Sequence, residues 1–347
     1  MKKVVAAIDS FKGCLRSVEA NAAAAAGVRD IWPNAEVREV TVSDGGEGFM
    51  EAFHAAIDGT LQTVTVKDPL MRDVTAHYLL KNQLAVIEVA EACGLGLLNT
   101  EERNPLIATS FGVGELVADA VNNGARTLIV GLGGSGTSDA GKGMLEGIKE
   151  LRVKSEELSV IIATDVDNPL CGENGAAAVY GPQKDATSEM VKELDARAKA
   201  FAEESAARMG FDCSEKAGAG AAGGLGYAFM QFLGAERRSG IDLLLETIGF
   251  DALVTDADLV ITGEGAADRQ TLMGKLPTGI LKHSGKTPTL LVAGKISDRE
   301  ELLRAGFAEV ECINPPKLPQ EEALRPEVAK QNIRTTVSNV LRKGIKR

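Results

Sequence analysis

The sequence predicts an α/β protein of two domains, and three observations carry that reading. Aliphatic residues and glycine dominate, whereas aromatics make up only 4% of the 347 residues, a composition suited to parallel strands buried under helices. Short continuous apolar runs at 4–8, 127–131, 259–262 and 289–294 each end at Asp, Ser or Gly and alternate with helical patterns. Between about 61 and 89 the periodicity switches to strict alternation, the mark of half-buried antiparallel strands. A chain of this length divides into about two domains on a scale of roughly 150 residues each.

Taken in order, 4–8 reads as a buried parallel strand that Asp9 and Ser10 end. An alanine-rich helix follows over 17–30, with Ser17 as N-cap and Glu19 in its first turn. A strand over 36–42 leads into the loop Asp44-Gly45-Gly46 and a helix near 48–56. The alternating runs 61–66, 74–80 and 84–89, separated by Asp68-Pro69 and Lys81-Asn82, form a meander that opens a second domain. Then come a helix over 112–122, a strand over 127–131, the loop Gly133 to Gly141, a strand over 160–163 and a charged helix over 188–209. The strand 259–262 delivers a loop over 263–268. A strand over 289–294 and helices over 298–305 and 325–342 close the chain. The two chain ends share one βα style, so a discontinuous first domain is expected from 1–65 with 285–347. Residues 66–284 form an inserted mixed α/β domain.

Composition removes several function classes. Thirty-eight basic against 49 acidic residues give a net charge of -11, with no basic stripe to neutralise a nucleic-acid backbone or an anionic membrane. Five scattered cysteines without a Cys-x-x-Cys pair, and three histidines, argue against disulfide frameworks and zinc; any metal should be oxygen-ligated. The apolar run after Met1 is too short for a signal peptide and none later reaches ~18 residues, which predicts a cytoplasmic protein without membrane partners. Monomer and homodimer are equally compatible with the sequence.

Three glycine-rich segments carry acidic residues: Ser43 to Gly48, Gly133 to Gly141, and Thr262 to Asp268. Glycine lets a backbone approach a ligand and aim N–H groups at an anion, while a neighbouring carboxylate can hold a divalent cation or accept a proton. That mixture suits phosphate chemistry with magnesium. Neither Gly-x-x-x-x-Gly-Lys-Ser/Thr nor a first-strand Gly-x-Gly-x-x-Gly is present, so the P-loop and ordinary dinucleotide readings lose weight. Ser135, Thr137 and Asp139 add hydroxyls and a carboxylate to the second loop. Asp9-Ser10-Phe11-Lys12-Gly13 sets a carboxylate and an ammonium past the first strand, where open α/β sheets bind ligands; a turn cap beside a solvated lysine is the plainer account. Asp165 and Asp167 with Asn168 follow another strand, either as metal ligands or as an Asx turn before Pro169. The small-residue run Gly218 to Gly226 fits a lid, a close-packed helix start or an anion cradle. Gly181-Pro182-Gln183-Lys184 is a turn first and a phosphate contact second.

Taken together, Asp9-Ser10-Phe11-Lys12-Gly13, Asp44-Gly45-Gly46-Glu47-Gly48, Glu102-Arg103-Asn104-Pro105, Gly133-Gly134-Ser135, Asp165 to Leu170, Gly181 to Lys184, Gly218 to Gly226 and Thr262-Gly263-Glu264-Gly265 resemble, in order and over nearly the whole chain, the type I glycerate kinase family. The resemblance implies a Rossmann-like domain from the chain ends, an inserted domain, and a cleft for D-glycerate and ATP–magnesium. It also implies 2-phosphoglycerate as product. Carried over by position, Lys12, Asp9 and Asp44 become catalytic candidates. Gly133, Gly134, Ser135, Thr137, Asp139, Gly263, Glu264 and Gly265 become nucleotide-binding candidates, and Asp165, Asp167 and Asp268 metal candidates.

Two departures from the family pattern stand out. Ala266 and Ala267 occupy positions where Arg-Ile is common, so a basic contact would have to come from Arg269 or elsewhere. Between Met144 and Val160 the chain is shorter than the family pattern. The rival readings are a metal-dependent hydrolase or phosphatase of a small anion, a 3-phosphoglycerate-forming kinase, and a non-catalytic sensor. Only a kinase uses the lysine, the glycine loops and the carboxylates together.

Overall fold

A computed structural model describes residues 1–43, 48–150 and 157–345. Its strands are β1 (Lys3–Ile8), β2 (Glu36–Glu39), β3 (Thr60–Lys67), β4 (Asp73–Lys81), β5 (Leu84–Glu88), β6 (Thr127–Gly131), β7 (Ser159–Ala163), β8 (Glu236–Arg238), β9 (Leu259–Ala267), β10 (Thr289–Ile296) and β11 (Glu309–Cys312). They fall into two sheets, and the chain into two units: Met1–Asp44 with Ile241–Arg347, and Gly45–Gly240.

The first unit holds five parallel strands in the order β11-β10-β9-β1-β2. Counted within the unit this is 2-1-3-4-5, a doubly wound order whose topological switch lies between β1 and β9. Alternate residues of each strand face opposite sides. Val4, Ala6, Ile8, Ile261 and Val292 pack against Ala24 and Val28 of the helix Ser17–Ile31 and Ile333 and Val337 of the helix Pro326–Lys343. Leu291 and Ala293 pack on the other face against Leu302, Phe307 and Val310. Each Val, Leu, Ile or Phe so buried contributes on the order of 1.5–3 kcal/mol, and each Ala less.

The units part at 44/45 and 240/241, not at 65/66 and 284/285. The expected boundaries miss because β9 sits in the middle of the first sheet, whereas β3 pairs with β4 in the second. The ladder of β2 also stops at Glu39, short of the expected 42. Side chains take over there: Ser17 Oγ donates to Ile8 O at 2.6 Å and accepts from Val42 N at 3.1 Å, while Asn21 Nδ2 donates to Val40 O at 2.8 Å. Ser17 is therefore a buried strut, and Arg16 occupies the N-cap.

The second unit orders its strands β3-β4-β5-β6-β7-β8. The expected meander is antiparallel through β3, β4 and β5, and β5 to β8 then run parallel. Tyr78, Ile87, Leu116, Leu128 and Phe229 lie in its core. The Tyr78 hydroxyl donates to Asp119 at 2.8 Å and accepts from Asn123 at 2.9 Å. Loops at the carboxyl ends of β6 and β7 carry the acidic and glycine-rich motifs. Among the described residues no helix is long and apolar enough to cross a membrane.

Candidate functional site

In the first unit, the switch point gathers two of the singled-out segments. Ile8 lies opposite Gly263 in the ladder, and Asp9 N donates to Gly263 O at 2.9 Å. Asp9 Oδ1 accepts from Ser10 N at 2.7 Å. Phe11 N donates to Leu15 O at 2.8 Å, closing a tight turn that lifts Lys12 and Gly13 into solvent. Lys12 makes no ion pair among the described residues.

Residues 263–267 were expected in a loop, yet β9 continues through Ala267 because β10 pairs with it as far as Ile296↔Ala267. Gly263 has a packing reason: a Cβ there would lie 2.2 Å from Val292 O. Gly265 has none, since the nearest atom to its Cβ would be Phe11 Cα at 3.9 Å. Its bareness keeps backbone open beside the Asp9 to Gly13 turn. Glu264 is buried, and its Oε1 accepts from the Thr271 hydroxyl at 2.6 Å. Asp268 Oδ1 accepts from Gln270 N at 2.8 Å and caps a short turn. Arg269, the expected substitute for the missing basic contact, is instead paired through both Nε and Nη2 with Glu301.

In the second unit the loop after β6 is the best-built feature. Ser135, Thr137 and Ser138 are buried, and their backbone N–H groups find no acceptor among the described residues. A backbone N–H group left without a protein acceptor is available to water or to an anion. Asp139, expected to meet the cofactor, is occupied in holding the loop: it accepts from Ser110 N and Oγ at 2.8 and 2.9 Å, Gly141 N at 3.0 Å and Gly143 N at 3.1 Å. Gly134 is exposed with φ +73, and Gly133 is half-buried beside it.

Within the run 218–226, Gly223 and Gly224 pack closely against this loop, whereas Gly218 and Gly220 pack against 166–169 and Arg237. Ala222, Gly223 and Gly224 are left-handed, and a Cβ on Gly223 would fall 2.0 Å from Thr137 O. Ala140 N donates to Gly223 O at 3.0 Å.

Lys184 completes the arrangement. It is 3% exposed, and its Nζ donates to Ser135 Oγ at 3.1 Å and Thr137 O at 2.7 Å. Burial pulls its pKa down to about 8, partly offset by Cys93 and Asp139; burial likewise pushes the Cys93 thiol up to about 12. The Thr137 hydroxyl, fully buried, faces that thiol and finds no nitrogen or oxygen partner. Sequence reasoning ranked Lys184 as a turn residue. Its position in a Gly-Pro turn among small residues, away from any amphipathic stripe, was the available signal.

Asp165 follows β7 at its carboxyl end. Asp167, exposed, pairs with Arg237 at 2.7 Å. Among the described residues no group of three or more His, Cys, Asp or Glu side chains could hold a metal ion, and Asp268 belongs to the other unit. Magnesium needs only one or two carboxylates beside phosphate oxygens and water; of the two candidates after β7, Asp167 is already engaged by Arg237. Asp44 and Glu47 lie outside the described residues.

The sequence pattern of the Glycerate kinase family matches residues 4–151 and 147–344. The chain belongs to that family. A glycerate kinase from Bacillus subtilis (strain 168) is 38% identical over 92% of both chains. A glycerate 2-kinase from Escherichia coli (strain K12) is 38% identical over 84% of this chain and 85% of its own. A crystal structure described as a glycerate kinase 2 from Salmonella typhimurium LT2 superposes with a TM-score of 0.83 at 36% identity, over 99% of this chain and 98% of that one. The fold and the kinase class therefore hold across the whole chain. The glycerate kinase match divides at 147–151, within the interval where this chain is shorter than the family pattern; residues 151–156 lie outside the described set.

Proposed function

We propose that the protein transfers the γ-phosphoryl group of ATP to the 2-hydroxyl of D-glycerate, giving 2-phosphoglycerate and ADP. Membership of a kinase family supplies the reaction class. The observation that carries the reading to a site is the loop 133–138, where the N–H groups of Ser135, Thr137 and Ser138 lack acceptors among the described residues and are suited to phosphate oxygens. Glycerate would be met at the switch point, where the Lys12 ammonium is available for a carboxylate or a phosphoryl oxygen.

The glycerate oxygen attacks phosphorus in line as the bond from the γ-phosphorus to the bridging oxygen breaks, and ADP leaves. The hydroxyl proton passes to a carboxylate, for which Asp44 and Asp9 are the candidates. Positioning and charge stabilisation carry most of such a transfer. Asp165 and Asp167 are the carboxylates that would hold magnesium, which would supply charge neutralisation for the phosphate oxygens.

The test couples the reaction to enolase without a phosphoglycerate mutase. Phosphoenolpyruvate formed from D-glycerate, ATP and magnesium supports 2-phosphorylation. Glycerate-dependent ADP without phosphoenolpyruvate assigns the 3-position, and no ADP at all overturns the kinase reading for this substrate.

A further inference from the structure

A lysine ammonium is among the costliest groups to enclose, and enclosed ones are ordinarily paired with a carboxylate. Lys184 is enclosed, yet no carboxylate lies within ion-pair distance of it among the described residues. Both of its hydrogen bonds go to one loop, at Ser135 Oγ and Thr137 O. Its own placement is built as well. The turn Pro182–Lys184 ends at Asp185, a non-glycine residue at φ +62, which is paired with Arg103 at 3.4 Å.

The consequences for the loop follow from donor and acceptor rules. An ammonium only donates, so Ser135 Oγ accepts and its own hydrogen is left to be given elsewhere. A trans peptide holds C=O and N–H antiparallel, so turning the Thr137 carbonyl to Lys184 points the Ser138 N–H the opposite way. The Gly223 backbone closes against the same carbonyl, with no room for a side chain.

We propose that Lys184 is a positioning residue for phosphate: acting through Ser135 and Thr137, it fixes the loop so that the Ser135 hydroxyl and the unpartnered N–H groups meet a nucleotide phosphate, and it adds positive charge behind them. This rests on the reading of loop 133–138 as the nucleotide site. The charged and titratable groups facing the ammonium are the Cys93 thiol and the Asp139 carboxylate. The thiol stays neutral through the alkaline range, pushed up to about 12 by burial, whereas burial brings the lysine down to about 8.

The experiment compares the full-length wild type, Lys184→Met and Ser135→Ala from pH 6.5 to 10, with KM for ATP, KM for D-glycerate and kcat measured separately and folding checked by circular dichroism. Lys184→Met should raise KM for ATP about tenfold or more and leave KM for glycerate within about twofold. Wild-type kcat/KM for ATP should fall above pH 8, and Lys184→Met should lack that limb. If Ser135→Ala raises KM for ATP but Lys184→Met does not, the positioning role is overturned and the nucleotide reading stands. If neither moves it, the loop is not the phosphate site and both fall. Should Lys184→Met fail to fold, calorimetric titration of the wild type with ATP between pH 7 and 9.5 decides, and constant affinity across that range overturns the role.

Discussion

Replacing Lys184 by methionine keeps the length of the side chain and removes its charge, so it isolates the cost of enclosing that charge. The lysine's ordinary pKa of 10.5 falls to about 8 in the fold; at ~1.4 kcal/mol per pH unit, the folded state disfavours the charged form by about 3 kcal/mol. The sign follows from proton counts. Below pH 8 the folded and unfolded chains both hold the proton, and the full penalty is present. Between about 8 and 10.5 the unfolded chain holds more protons than the folded one, so wild-type stability rises with pH. Above 10.5 both are neutral and the penalty is gone. Methionine does not titrate, and the other alkaline groups are shared by both proteins, so their contributions cancel in the difference. The lost hydrogen bond to Thr137 O adds a constant of about 1–3 kcal/mol in favour of wild type, which makes the two proteins similar at pH 7. Urea unfolding followed by circular dichroism at pH 7, 8.5, 9.5 and 10.5 should show wild type gaining about 3 kcal/mol on Lys184→Met across the series. A difference that stays flat within about 0.5 kcal/mol would refute the enclosed, charged lysine.

Other perturbations give distinct readouts. Lys12→Ala should lower kcat/KM for glycerate about 100-fold or more without shifting the unfolding midpoint, because the residue is exposed and makes no ion pair among the described residues; steady-state kinetics beside a urea curve test both halves. Asp139→Ala leaves the Ser110, Gly141 and Gly143 donors without their acceptor and should destabilise the second unit by about 1–3 kcal/mol for each donor left unsatisfied, seen as a lower urea midpoint. Gly223→Ala places a Cβ 2.0 Å from Thr137 O at φ +66, and the displaced loop should raise KM for ATP more than KM for glycerate.

Much of the architecture was legible because strand and helix periodicity are local. The helix Ser188–Met209 starts and stops where its Thr187 cap and Gly210 stop put it. The meander was readable from alternation alone. What failed was decided by partners far along the chain: β9 runs past Gly263 because β10 supplies a ladder for it, and the unit boundary follows β9 rather than the start of the meander. Within the candidate site, glycines and hydroxyls announced the loop after β6. Composition could not distinguish a carboxylate that meets ligand from one that braces the loop, and Asp139 braces it. Nor could a lysine in a Gly-Pro turn reveal that it points into the protein, since only the meeting of 181–184 with 133–138 encloses it.

The pairing of β1 with β9 bears on how the chain is made. Val4 and Leu259 are neighbours in the ladder, yet some 250 residues separate them, and a ribosome adding about 5–20 residues per second needs roughly 12–50 s to bridge that gap. Through that interval the apolar Val4 to Ile8 segment has left the exit tunnel with its sheet neighbour on one side not yet synthesised. All of the strands of the intervening unit emerge first, so that unit can reach its folded state while the N-terminal segment waits. Unsheltered strand segments invite chaperones and aggregation. The arrival of β9 is then the event that ends the exposure, and slow translation between 45 and 240 should lower soluble yield more than the same delay placed after 267.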